Sequence, residues 1–283
     1  MTDTAAPKTS VDLTGEGIHW KQNLSYGSYL DLDNLLACQN PVSDEHDEML
    51  FIVIHQASEL WLKLCVHEIG AAMKLLEQGE DLGPVFKMLA RVSRIQANLQ
   101  QSWEILSTLT PADYAAFRDK LGHSSGFQSF QYREVEYRLG NKNAQMAEAH
   151  RDVPARYARL QAVLDAPSFY DLCLQLLARR GFDIPAEVTN RDWRQPYKAN
   201  AKVEDAWLAI YRNTADHWDL YELAEKLVDL EHHFHAWRFA HMKTVERIIG
   251  YKPGTGGTGG VSYLQKALDL RFFPELWTAR TRM

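Results

Sequence analysis

Two histidines of this 283-residue chain stand where an imidazole can do chemistry. His55 lies in the stretch Phe51 to Glu68, FIVIHQASELWLKLCVHE, where Phe51, Leu62, Cys65, Ile69, Ala72 and Leu76 recur at helical spacing. The spacing predicts a buried helix, with His55 and Ser58 on its apolar stripe. The second, His241, falls on a longer stripe: Leu220, Leu223, Leu227, Leu230, Phe234, Trp237, His241, Val245 and Ile248. Desolvation drives a buried imidazole neutral, leaving one donor and one acceptor nitrogen for a ligand or substrate. The plain alternative is a core histidine satisfied by a neighbouring carbonyl. For two such histidines on two long helices, that coincidence is needed twice.

Other residues offer further chemistry. In LTPADYAAFRDKLG, Tyr114 and Arg118 are four apart on one helical face. KPGTGGTGG follows the His241 helix. It lacks the Lys-Ser or Lys-Thr and the preceding strand of a phosphate loop. Its glycines allow close backbone approach to a ligand, with Thr255 and Thr258 as hydroxyls; a lid and a connector remain equally open. His232, His233 and His235 lie off the stripe and could gather a metal or be solvated. No Glu-x-x-His pair marks either long helix as a di-iron site, and HEIGA at His67 lacks the second histidine of a zinc protease. Haem suits two buried histidines, abundant aromatics and no carboxylate cluster best. A non-catalytic haem or O₂ sensor and a purely structural bundle are the rivals.

The elements that must position these residues are all helical. A helix from about Pro84 to Ser107 follows the His55 helix, which ends near a C′ glycine at Gly79. Thr110, Pro111 and Asp113 fix the start of a short helix. Helices follow in the segment before Gly140, in DVPARYARLQAVLDA and in PSFYDLCLQLLARRG. Residues of GFDIPAEVTNRDWRQPYKANAK read as a surface loop, and the His241 helix runs from about Ala215 to Gly250. No stretch alternates at period two. The expectation is an all-α helical bundle with two long core helices, haem between helices and a short N-terminal arm. Residues 1–17 read as a disordered tail and 18–283 as a single domain.

A net charge of -6 and pI near 6.0 give no reason to expect nucleic acid or an anionic membrane. The polar N-terminus has no signal-peptide core, and no run reads as long enough to span a bilayer. Cys38, Cys65 and Cys173 are odd in number and far apart, as in a reducing, cytoplasmic setting. The sequon Asn23-Leu24-Ser25 then reads as chance.

FIVIHQASELWLKL, LTPADYAAFRDKLGHSSGFQSFQYREVE and WRFAHMKTVERIIGYKPGTGGTGG strongly resemble the tryptophan 2,3-dioxygenase family. SYGSYLDLDNLL and FFPELWTAR extend the resemblance over nearly the whole chain. It implies an all-α homotetramer with one haem b per subunit that opens the indole ring of L-tryptophan with O₂, giving N-formylkynurenine. It makes His241 the axial iron ligand and His55 the distal residue beside the indole N–H, with Phe51 packed on the indole. Arg118 becomes the carboxylate clamp with Tyr114 as second donor, Thr255 the hydroxyl near the substrate ammonium, and Ser125 a neighbour of a haem propionate. Tyr26, Tyr29 and Leu30 resemble an arm completing a neighbouring subunit's pocket. Two departures stand out: Thr258 and Gly259 replace the serines of the family's GTGGSSG, and Ala240 precedes the axial histidine where a basic or polar residue is common.

Overall fold

The computed structural model describes residues 10–18, 24–79 and 81–283. Among these the chain forms α-helices, short 3₁₀ turns and no strand, as the helical periodicity predicts. Contacts divide it into two compact units, residues 1–40 and 41–283. The first holds α1 (Tyr26–Leu30) and α2 (Leu32–Leu36), joined at Asp31, whose φ of 52° is left-handed. Residues 10–18 are exposed and non-helical; residues 1–9 of the expected tail and Asn23 of the sequon lie outside the described residues.

The second unit is built on three long helices. α3 spans Glu48–Gln78, α4 spans Gly83–Leu106, and α4 packs against both α3 and the third long helix, α11 (Trp218–Ile249). Gly79 ends α3 in an extended conformation, φ −159°, rather than as the left-handed C′ glycine expected. α5 (Pro111–Arg118) starts as its sequence dictates. The Thr110 hydroxyl accepts from the Asp113 N–H, the Asp113 carboxylate accepts from the Thr110 N–H, and Pro111 takes the first turn. α6 (Phe130–Leu139), α7 (Pro154–Asp165) and α8 (Phe169–Arg179) follow at the predicted places.

The predicted loop after α8 is not wholly irregular. It contains α9 (Ala186–Thr189), buries Val188, and is pinned by a two-point ion pair from Arg191 to Asp171 at 2.8 and 2.9 Å. A helix that the sequence reading passed over, α10 (Ala201–Arg212), buries Val203, Trp207 and Ile210. α11 runs Trp218–Ile249, and α12 (Val261–Leu268) and α13 (Pro274–Thr278) close the chain.

The main core gathers apolar faces of α3, α4, α8, α10 and α11. A smaller core of Ile54, Leu106, Leu109, Phe117 and Ile248 joins α3, α4, α5 and α11, with Phe51, Trp103 and Tyr114 against it. α11 rotates its buried face in its second half. Arg238, Met242, Thr244 and Ile248 are buried there, while Trp237, His241 and Val245 are half-buried. A buried arginine was not expected. Arg238 is held by the Glu136 carboxylate at 2.7 Å and reaches the Ala267 carbonyl at 3.2 Å, fastening the end of α12 to α6. The reading that no run could span a bilayer is corrected. α3 is long and apolar enough by length and composition, a window of its residues having mean hydropathy 1.4. Such a helix is equally the core of a bundle, and α3 packs on α4, α6 and α8.

Candidate active site

α3 brings Phe51 and His55 onto one face, with ring centroids 4.2 Å apart. His55 Nδ1 lies 2.7 Å from the Phe51 carbonyl oxygen. A carbonyl only accepts, so Nδ1 carries the proton and Nε2 presents a lone pair. Burial is the largest influence on this ring and holds its pKa below the usual 6.5, against the Phe51 carbonyl and Glu59, which favour the charged form.

From α5, Tyr114 stands 5.8 Å from Phe51, and Phe117 lies 5.8 Å from Phe51 and 5.4 Å from Tyr114. This makes an aromatic wall beside His55. Burial raises the Tyr114 phenol's pKa above 10, opposed by the neighbouring Arg118, which also hydrogen-bonds it. The phenol therefore stays protonated. The Arg118 guanidinium donates to the Pro253 carbonyl at 2.6 Å, joining α5 to the glycine loop.

The loop after α11 is folded onto the turn that follows α5. Gly250 turns the chain at φ 60° and Gly260 at φ 61°, where a Cβ would meet the Lys252 carbonyl at 2.5 Å. Between them Gly254 N–H donates to the Thr258 carbonyl at 3.0 Å. Thr255 donates its hydroxyl to the Ser124 carbonyl at 2.5 Å, leaving the oxygen's lone pairs able to accept. Gly256 lies so close to Ser125 that a Cβ would meet the serine Cβ at 2.7 Å and Oγ at 2.9 Å. Thus contacts join His55, Phe51, Tyr114 and Arg118, and Arg118 reaches Pro253 of the loop whose Thr255 bonds Ser124 and whose Gly256 lies against Ser125.

His241 lies on α11, where a charge on His55 would disfavour its own. Burial is the larger cause, and its pKa is pushed down to about 4. Trp103 of α4 stacks on it, centroids 4.5 Å apart and planes 17° from parallel, and Trp237 stands 5.4 Å away. No hydrogen bond reaches either nitrogen of His241 among the described residues, so a neutral imidazole keeps a free lone pair. Trp103 and Phe117, which sequence reasoning missed, pack against the candidate residues His241, Phe51 and Tyr114. Trp103 falls four residues after buried Leu99, a stripe position where an indole N–H has no neighbour in sequence to satisfy it.

Tyr26, Tyr29 and Leu30 are exposed on α1 in the first unit. His235 is occupied, its Nε2 2.8 Å from the Leu270 carbonyl and its Nδ1 2.8 Å from Arg271. No group of three metal-binding side chains, including the His232 to His235 cluster, occurs among the described residues.

The donor set fits a haem. His241 is a neutral imidazole without a hydrogen-bond partner among the described residues, His55 is a second neutral imidazole, each stands against aromatic rings, and the buried Trp103 Nε1–H is unsatisfied. These features describe an all-α protein with two neutral histidines set among aromatic side chains. Over residues 14–161 and 164–283 the sequence matches the family model described as tryptophan 2,3-dioxygenase. It is 57% identical over 270 residues to a tryptophan 2,3-dioxygenase of Bacillus cereus, covering 95% of this chain and 96% of that one. It is 54% identical over 282 residues to the tryptophan 2,3-dioxygenase of Cupriavidus necator, covering 98% and 96%. The chain belongs to the tryptophan 2,3-dioxygenase family. Its class is oxidoreductase, of the dioxygenase type.

Proposed function

We propose that this chain binds one haem b per subunit and inserts both atoms of O₂ across the indole C2–C3 bond of L-tryptophan. The product is N-formylkynurenine, at the first step of tryptophan catabolism by the kynurenine route. The observation that carries this reading is the pair of neutral histidines, of which His55 has its lone-pair nitrogen freed by the Phe51 carbonyl.

In this reading His241 would hold the haem iron, and the haem would supply the binding and activation of O₂. Every other role belongs to orientation. His55 Nε2 accepts the indole N–H, and Phe51 packs on the indole face. Arg118 offers its free guanidinium donors to the substrate carboxylate, with the protonated Tyr114 phenol as a second donor. The Thr255 oxygen accepts from the substrate ammonium, since its own proton is committed to Ser124. Ser125 borders a haem propionate. The loop from Gly250 to Gly260 covers the substrate and excludes water.

Tyr26, Tyr29 and Leu30, exposed on their own unit, complete a neighbour's pocket in a homotetramer. Met49, Val53, Leu60 and Trp61, apolar and exposed on α3, support a subunit interface, because clustered apolar surface on a soluble chain marks a contact. The enzyme works in the cytoplasm, independently of membrane and nucleic acid, with residues 18–283 as its catalytic domain. The test is direct: purified protein with a Soret band, reduced and supplied with L-tryptophan in air, forms N-formylkynurenine. Absence of the band, or a band without product, refutes it.

A further inference from the structure

Helix α4 carries an indole whose polar atom has no use in the fold. The Trp103 Nε1–H is buried and finds no acceptor among the described residues. A phenylalanine would fill the same core without stranding a donor, and buried donors are normally paired. The same ring lies flat on His241, and Trp237 closes the cluster at 5.6 Å from Trp103 and 5.4 Å from His241. Proteins usually orient a metal-bound histidine by hydrogen-bonding its second nitrogen to a carboxylate or carbonyl. Here no such bond reaches His241 among the described residues, so aromatic contact is what fixes its plane.

We propose that Trp103 is a positioning residue on the axial-ligand side, acting in two ways. Its face sets the rotation of the His241 imidazole, and its N–H donates to a propionate carboxylate of the haem. The acceptor follows from chemistry: the rim of a haem is apolar except for its propionates, and the stacked imidazole accepts only in its own plane, where the N–H of a parallel indole does not point. This inference rests on the haem reading above.

Trp103→Phe keeps a stacking ring and removes the donor; Trp103→Leu removes both. Haem-loaded Trp103→Phe is expected to release haem to excess apomyoglobin roughly ten- to a hundredfold faster than wild type, the size of one lost hydrogen bond to a charged group. Its iron–imidazole stretching frequency in resonance Raman stays unchanged, whereas in Trp103→Leu that band shifts or broadens. A wild-type release rate in Trp103→Phe overturns the donation, and a wild-type band in Trp103→Leu overturns the stacking role. The wild-type protein supplies a check that needs no variant to fold. Transfer to deuterated solvent should displace the propionate bending mode, and an unmoved mode overturns the donation. A wild-type protein without a Soret band removes the haem reading and this one together; a normal wild type with indifferent variants removes only the role of Trp103.

Discussion

The Arg118 guanidinium donates to the carbonyl oxygen of Pro253 at 2.6 Å, so the proposed carboxylate clamp also holds the root of the glycine loop. The same arginine bonds the Tyr114 phenol. In the proposed reading, positioning of the substrate carboxylate and closure of the loop therefore depend on one side chain. Its five donors in a fixed fork allow it to serve a carbonyl, a phenol and a carboxylate together.

Arg118→Ala should raise the KM for tryptophan steeply, by the equivalent of about 2–5 kcal/mol, since a carboxylate is left without its partner. Arg118→Lys keeps the charge but loses the fork, and should fall between wild type and alanine. Steady-state kinetics decide it: an unchanged KM in Arg118→Ala contradicts the clamp.

His55 contributes a single acceptor, so His55→Ala should lower turnover only about tenfold, the size of one hydrogen bond of ~1 kcal/mol. Haem content should stay normal. Because burial holds the His55 pKa below 6.5, its acceptor nitrogen is free at and above that pH. The acid limb of kcat/KM should therefore lie below pH 6.5 in wild type. Complete loss of activity in haem-replete His55→Ala contradicts the modest role.

His241→Ala should abolish the Soret band, and a normal band would move the axial ligand elsewhere. In haem-free protein this histidine also makes stability pH-dependent. Its folded pKa of about 4 lies below the ordinary 6.5, so the unfolded chain binds the extra proton between those values. Stability is full above about pH 6.5 and falls as pH drops toward 4, by at most about 3 kcal/mol from this group. Urea titrations of apo wild type and apo His241→Phe across that range should diverge at low pH, the wild type losing more.

Gly256→Ala places a methyl 2.7 Å from the Ser125 Cβ. Crowding of this kind costs about 1–3 kcal/mol, so the loop should stand off and the KM rise roughly tenfold. Ser125→Gly in the same protein removes the clashing atoms and should recover most of the loss. Equal kinetics in Gly256→Ala and wild type would show that the loop does not need this close approach.

The helices were largely legible because their signals are local. Thr110 and Asp113 cap α5 within four residues, and the period of three and four along α11 spans its length. α10 escaped notice because its stripe of Val203, Trp207 and Ile210 follows a proline-bearing polar run that reads as loop. Arg238 could not be read as buried. Its partner Glu136 comes from α6, 102 residues away, and a lone arginine on a stripe reads as surface. In the site, His55 and His241 were visible as polar residues on apolar faces, and family resemblance carried Arg118 and Thr255. Trp103 was invisible as a site residue, since a tryptophan on a stripe reads as core until its N–H is seen to lack a partner.

The central claim is that both oxygen atoms of one O₂ enter the substrate at this two-histidine site. Turnover of L-tryptophan under ¹⁸O₂, followed by mass spectrometry of the freshly formed product, measures it directly. Incorporation of both labelled atoms into N-formylkynurenine by wild type, with none formed by His241→Ala, is the predicted result. A product carrying one labelled atom, or undiminished double labelling by His241→Ala, would contradict the account.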